Sequence, residues 1–294
     1  MSTDKPTITI WAWKKHLKSI IRCVIPLFLR KYLAIWINQQ KWLGDKRRRW
    51  WVQSIIQDFA NKDINAYHKF LWKHHLSYAE TYEIELRYGY NNFNESRKLF
   101  FAELPGHMQE AGIDPKQNIS SIFEVGCSSG YLLRYMETDI FPSAKRIHGC
   151  DIDVYTINAG NCYLQKKGSS IELFHADMES IDRLLSEAQF DFILAAGVLL
   201  YLDQKSATDF VRLLLNHTQK MLAVTALASP HIDNAELKQS ELRKSDHTWI
   251  HNVDAMIERA GGKVVARRWE GSKIVDGNSI YFLFAVPATD ELPL

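Results

Sequence analysis

The sequence predicts an α/β fold: a seven-stranded, mostly parallel sheet flanked by helices, ending in an antiparallel C-terminal hairpin and preceded by a helical N-terminal region. Three observations carry this. Beyond Ile119, short apolar runs such as FDFILAA (190–196) and MLAVTAL (221–227) alternate with helix-length segments, as parallel β-α units do. The last two apolar runs, 263–269 and 279–286, follow each other without a helix, which predicts a hairpin. The stretch FEVGCSSGYLL (123–133) reads as a strand, a glycine turn and the start of a helix.

Taken in order, the strands are expected at 121–125, 146–150, 171–175, 190–195, 221–227, 263–269 and 279–286. Helices are expected between them at 129–137, 153–167, 179–187, 204–219 and 252–260, the last ended by Gly261-Gly262. The long segment 229–256 is expected to hold a further short helix. Upstream, Asp63 suits the N-cap of a helix over 64–83, and Asn94 or Ser96 suits the start of another running to about Gly112. Leu71, His75, Tyr78 and Tyr82 would share one face of the first, at spacings of 4, 3 and 4.

The formal charge of +2 conceals an asymmetry. Residues 1–50 hold twelve Lys/Arg against Asp4 and Asp45, a net of +10, which leaves −8 for the remainder. Six of the nine tryptophans (Trp11, Trp13, Trp36, Trp42, Trp50, Trp51) fall in the first 51 positions. The apolar run Ile20–Ile37 is interrupted by Arg22, Pro26, Arg30 and Lys31, so it is not a membrane span. It fits an interfacial helix on an anionic membrane surface, split at Pro26. A cap packed on the main domain and a nucleic-acid contact are the alternatives. The expected organisation is a basic, Trp-rich helical segment over 1–60, a helical lid over 61–117 and a catalytic domain over 118–288.

Four cysteines (Cys23, Cys127, Cys150, Cys162) show neither metal-ligand spacing nor the density of a disulfide framework. A cytoplasmic setting follows, peripheral on the membrane if the first segment docks there, and no metal is expected.

In a doubly wound sheet, ligands sit at the carboxyl ends of the strands. The residues there are Glu124, Gly126, Cys127 and Gly130 after the first strand, and Asp151 and Ile152 after the second. Asp177 and Met178 follow the third strand, and Gly197 the fourth. The spacing Gly126-x-x-x-Gly130 is not that of a dinucleotide loop or of a P-loop, and an acidic Glu124 beside a pyrophosphate would repel it. Asp151 can accept both hydroxyls of a ribose. Asp177 can accept an adenine amino hydrogen while Met178 supplies its amide. Glycines, two carboxylates and no phosphate cradle point to an adenosine with an amino-acid tail, S-adenosylmethionine.

Over 119–286 the sequence resembles the class I S-adenosylmethionine-dependent methyltransferases, a Rossmann-like family. FEVGCSSGYLL resembles the family's glycine motif, with Ser128 where a glycine is usual. HGCDID resembles its ribose motif, HADMESI its adenine motif and FDFILAAGVLLYL its fourth-strand motif. The resemblance implies that Glu124, Gly126 and Gly130 line the methionine and ribose side. It also places Asp151 on ribose, Asp177 and Met178 on adenine, and Gly197 and Val198 under the sulfonium; Cys127 is a small buried residue of the turn.

Methyl transfer to a hydroxyl needs the acceptor held in line and is helped by a base. The candidates are His251, His231 and His75, with Tyr201 as an orienting group. The acceptor is expected to be a small molecule, sugar or lipid-linked glycan, methylated on oxygen. Nucleic acid is disfavoured because the catalytic part is acidic, although an RNA methyltransferase and a non-catalytic scaffold are alternatives.

Overall fold

The computed structural model describes residues 20–76, 87–178, 180–185, 188–275 and 278–287. The chain divides into two compact units, Met1–Thr81 and Tyr82–Leu294. The first helix expected in the lid therefore belongs to the N-terminal unit, and the second belongs with the sheet.

In the N-terminal unit, residues 20–24 are helical and the helix stops before Pro26, as a proline requires of the turn before it. Helix α1 (Leu27–Gln39) follows, then α2 (Asp45–Ile56) and α3 (Ile64–Lys73). Their shared core holds Ala34, Ile37, Val52, Ile55, Ile56 and Phe59, closed by Tyr67 and Leu71. Arg30 is buried in it, with its guanidinium on Asp58 (2.6 and 2.9 Å) and on the Ile55 carbonyl (2.7 Å). Burial opposes ionisation of Asp58, but Arg30 and Arg22 outweigh it and hold the carboxyl below its ordinary value.

Asp63 caps α3 as expected, accepting from the Ala66 amide at 2.9 Å. The helix is shorter than the 64–83 expected. His75 adopts φ 54° and the Leu76 amide turns back onto the Leu71 carbonyl at 2.8 Å, a C-terminal stop of the kind that usually employs glycine. His75 thus leaves the proposed aromatic face, while Tyr78 and Tyr82 lie outside the described residues.

The second unit opens with α4 (Glu95–Glu110), capped by Asn94 through the Arg97 amide at 2.9 Å. The sheet strands are β1 (Ser121–Val125), β2 (Arg146–Asp151), β3 (Glu172–His175), β4 (Phe190–Ala196), β5 (Thr218–Ala226), β8 (Gly262–Val275) and β9 (Asn278–Pro287). Between them lie α5 (Tyr131–Tyr135), α6 (Val154–Lys166), α7 (Ile181–Leu185), α8 (Gln204–Asn216) and α9 (Val253–Arg259). The order across the sheet is β3-β2-β1-β4-β5-β9-β8, parallel through β5 and antiparallel beyond it. All seven strands and the hairpin were legible in the sequence.

Alternation sorts the strand residues onto two cores. Ile122, Phe192, Leu194, Ala223 and Phe282 face one side with α4 and α5, while Phe123, Ile193, Val224 and Tyr281 face the other with α8 and α9. Both faces are buried, as a parallel sheet requires.

Two expectations need correction. The helix after β1 is α-helical only to Tyr135 and then widens into a π-turn over Met136–Ile140. The segment after β5 holds no α-helix before α9; it forms a 3-10 turn at Asn234–Glu236 and a small antiparallel pair, β6 (Glu241–Arg243) with β7 (Thr248–Ile250). Buried Asn234 organises it by donating to the Leu227 and His251 carbonyls and accepting from the Ser229 amide and the Trp269 indole. Polar side chains, not an apolar helical face, satisfy the backbone of this segment.

Candidate active site

The strand order reverses direction between β1 and β4, so the connections that follow them leave to opposite faces of the sheet and a crevice opens outside their carboxyl ends. The turn after β1 lies on one lip. Gly126, Ser128 and Gly130 all take positive φ (70°, 51° and 77°). A Cβ on Gly126 would come within 2.5 Å of Val198 Cγ2, so the glycine lets the β1 turn and the β4 turn touch. Gly160 of α6 serves the same turn: a Cβ there would meet the Ser129 carbonyl oxygen at 2.5 Å.

Ser128 stands in the left-handed region that glycine would occupy, and its amide donates to Asp151 Oδ2 at 2.8 Å. Asp151 Oδ1 accepts from the Asp153 amide at 2.9 Å. The Asp151 carboxylate therefore closes the space between the β1 and β2 turns. Burial raises its proton affinity against these two amides. A carboxylate can accept about four hydrogen bonds, so two such bonds leave capacity for a ribose diol. Asp153 caps α6 through the Tyr155 and Thr156 amides.

Glu124 is 1% exposed, and its Oε2 has no hydrogen-bond partner among the described residues. Burial pushes its carboxyl up to about 8; Arg97 opposes this and Asp151 adds to it. Arg97, in the first turn of α4, was not singled out by the sequence. It lies 5.2 Å from the Tyr131 ring centroid, and Arg87 lies 5.6 Å from the same ring while bonding Ser128 Oγ at 3.3 Å. Tyr88 donates its hydroxyl to the Ser129 carbonyl and stacks on Tyr163 at 4.0 Å. Nothing in the spacing of residues 87–97 signals this, because only the packing of α4 on the sheet brings them to the turn.

A cleft of about 80 Å³ lies between the first turn of α4 and the ends of β4 and β5, with Leu132 of α5 in its lining. Ser96, Arg97, Phe100 and Phe101 form one wall, and Gly197 and Thr225 form the other. Gly197 has φ 71°, and a Cβ there would have 4.0 Å to its nearest neighbour, so this face of the turn is open.

The remaining candidates fall as follows. Cys127 is buried, and burial raises its thiol well above the usual range, so it is inert packing. The Ile152 carbonyl contacts His175 Nε2 at 3.2 Å. Asp177 Oδ1 accepts from the Ser180 amide (3.0 Å) and hydroxyl (2.9 Å), so this carboxylate also shapes the turn into α7. Met178 packs against the α8 side core, Val198 is buried against Gly126, and Tyr201 is half-buried in the 3-10 turn Leu199–Tyr201.

The histidines differ sharply. His251 is 1% exposed, with Nδ1 on Ser240 Oγ (2.7 Å) and Nε2 on the Leu199 carbonyl (3.0 Å). Nε2 carries the hydrogen for that carbonyl and Nδ1 accepts from the serine, so the ring is a neutral brace rather than a ready proton acceptor. Burial lowers its proton affinity in agreement. His231 is exposed in the turn after β5, and His75 belongs to the N-terminal unit. The described residues contain no cluster able to hold a metal ion.

Residues 122–220 match the family described as "Methyltransferase domain". The match runs from β1 to the start of β5 of the sheet unit and takes in the Gly126–Gly130 turn, Asp151 and Asp177. The chemistry of these turns fits S-adenosylmethionine: a buried Glu124 carboxyl whose Oε2 has no partner among the described residues, and an Asp151 carboxylate at the end of β2. No curated protein sequence matches the chain. Its fold is similar to magnesium protoporphyrin IX methyltransferase from Synechocystis PCC 6803 with bound SAM (11% identity, TM-score 0.48, 80% of this chain and 97% of that one). It is also similar to an O-methyltransferase family protein from Burkholderia thailandensis (12%, 0.47, 67% and 59%). A third likeness is the CcbJ methyltransferase from Streptomyces caelestis (14%, 0.46, 66% and 89%).

Proposed function

We propose that this methyltransferase O-methylates a small molecule, sugar or lipid-linked glycan, on the cytoplasmic side, with the reacting hydroxyl held in the cleft between α4 and the ends of β4 and β5. The supporting observation is the lining of that cleft: Leu132 lies two residues past the Gly126–Gly130 turn, Gly197 precedes the Val198 that meets Gly126, and Arg97 is the cation whose charge acts on the buried Glu124 carboxyl. S-adenosylmethionine supplies the methyl group when bound. Glu124, Gly126 and Gly130 hold its methionine side, Asp151 its ribose, and Asp177 with Met178 its adenine.

Phe100 and Phe101 shield the cleft from water, and a shielded, oriented hydroxyl lies closer to the displacement geometry than one in solution. A cleft of this size admits the hydroxyl-bearing end of an acceptor and leaves the rest outside. Among the three candidate histidines, His231 is the base of this reading, because its residue is exposed beyond the carboxyl end of β5.

Calorimetric titration with S-adenosylmethionine and S-adenosylhomocysteine tests the cofactor assignment; absence of binding by the intact chain would refute it. A radiolabelled methyl-transfer screen over polyols, sugars and lipid-linked glycans tests the acceptor class. His231→Ala should lower turnover on a hydroxyl acceptor by about 10²-fold or more while cofactor affinity stays unchanged.

A further inference from the structure

We propose that the N-terminal unit docks on an anionic lipid bilayer through the outer face of α1. This helix has two apolar faces. Ala34 and Ile37 point into the core of the unit. Phe28, Leu29, Tyr32 and Trp36 are exposed, at 60%, 46%, 71% and 56%. At about 100° of rotation per residue these four fall within an arc of about 100°, on the side opposite Ala34 and Ile37. Val24, just before Pro26, and Trp42, just after α1, are also exposed, at 73% and 79%.

A helix on the surface of a water-soluble protein ordinarily turns a polar face outward, and a contiguous exposed apolar patch marks an interaction surface. Charge identifies what covers it. Residues 20–76 contain eleven Lys/Arg and three acidic residues, Asp45, Asp58 and Asp63. Of these, Asp58 is bound by Arg30, and Asp63 caps α3. Lys41, Lys46 and Arg47 are exposed in the residues directly after α1.

A second copy paired through the same face would bring one cationic unit against another. A nucleic acid would be met by cations, not by a Phe-Leu-Tyr-Trp face. Aromatic and aliphatic side chains flanked by lysine and arginine suit the headgroup boundary of an anionic bilayer, where indoles and phenols bury their rings and keep their polar atoms wet. No described helix is long and apolar enough to cross a membrane, so the mode is lateral docking. The site chemistry of the sheet unit is not required for this.

Co-sedimentation of the full chain with phosphatidylcholine vesicles, with and without phosphatidylserine, tests the proposal. The wild type should pellet with the phosphatidylserine vesicles, and brominated lipid should quench its tryptophan emission. The exposed-face variant Phe28→Ser/Tyr32→Ser/Trp36→Ser and the charge variant Lys46→Glu/Arg47→Glu should each bind at least about tenfold more weakly. Both should keep the circular dichroism and the cofactor titration of the wild type. The proposal is overturned if the wild type stays in the supernatant without quenching, or if the triple variant binds as well as wild type, since charge alone would then account for attraction to any polyanion. It is equally overturned if the patch holds a dimer that the triple variant dissociates. The cofactor titration reports on the methyltransferase reading independently of all these outcomes.

Discussion

The amide of Ser128 donates to Asp151 Oδ2 at 2.8 Å while Ser128 itself holds φ 51°. The serine that departs from the usual glycine thus keeps the glycine's backbone conformation and ties the first turn to the carboxylate at the end of β2. A left-handed non-glycine residue costs about 1–2 kcal/mol. Ser128→Gly should therefore leave stability unchanged or raise it by up to about 1 kcal/mol, with cofactor binding retained. Ser128→Val, β-branched at the same φ, should lower both; urea titration and calorimetry decide, and a destabilised glycine variant would contradict the geometry.

Asp151 has a double role, so its variants should separate. Asp151→Ala removes the proposed ribose acceptor and releases the Ser128 and Asp153 amides, so it should abolish measurable cofactor binding and lower the melting temperature. Asp151→Asn keeps a carbonyl oxygen but replaces the other acceptor with an amide that cannot serve both neighbours. Its affinity should lie between those of wild type and Asp151→Ala, and equal loss in the two variants would count against the division of roles.

Glu124 makes stability depend on pH. Its folded value, about 8, lies above the ordinary 4.5, so the folded state holds a proton that the unfolded chain releases earlier. The associated stability is fully present below 4.5 and is lost as pH rises to about 8. The slope in that window approaches about 1.4 kcal/mol per pH unit, and Glu124→Gln should flatten it in urea titrations at pH 5, 6.5 and 8. Binding an ammonium at Glu124 should also release a proton near neutral pH. That release is visible as a buffer-dependent calorimetric enthalpy in the wild type and should be missing in the variant.

His251 should behave as a structural brace. His251→Ala leaves the Leu199 carbonyl and the Ser240 hydroxyl without their partner and should cost about 1–3 kcal/mol of stability. Cofactor affinity should stay close to wild type. Because burial lowers its proton affinity, the stability it contributes is present above the ordinary histidine value and is lost as pH falls through the lower folded value. A variant of undiminished stability but abolished turnover would reinstate His251 as a base.

Gly160→Ala offers a test of the turn from outside it. Alanine favours a helix over glycine by about 1 kcal/mol, yet the added Cβ would sit 2.5 Å from the Ser129 carbonyl oxygen and 2.7 Å from Leu173 Cδ1. The substitution should destabilise by about 1–3 kcal/mol and weaken cofactor binding by displacing the turn. A stabilised Gly160→Ala protein with normal affinity would show that the helix can move away without disturbing the site.

By itself the sequence determined the sheet, its parallel core and terminal hairpin, and the turn residues Gly126, Gly130, Asp151 and Gly197. Those features are written in local terms: the period of apolar residues, the caps at Asp63 and Asn94, and glycines where φ must be positive. Tertiary structure alone decided which groups share the site. Arg97 reaches the first turn from α4, and Tyr88 reaches it from the segment before α4 through the Ser129 carbonyl; no spacing in 87–97 encodes that. His251 looked like a base in a polar loop, but burial between Ser240 and Leu199 makes it a brace. The outward row on α1 was legible only as an apolar run, since periodicity cannot say which of two apolar faces the core will take. Local physics fixes backbone conformation, whereas burial and partnership depend on elements far apart in the chain.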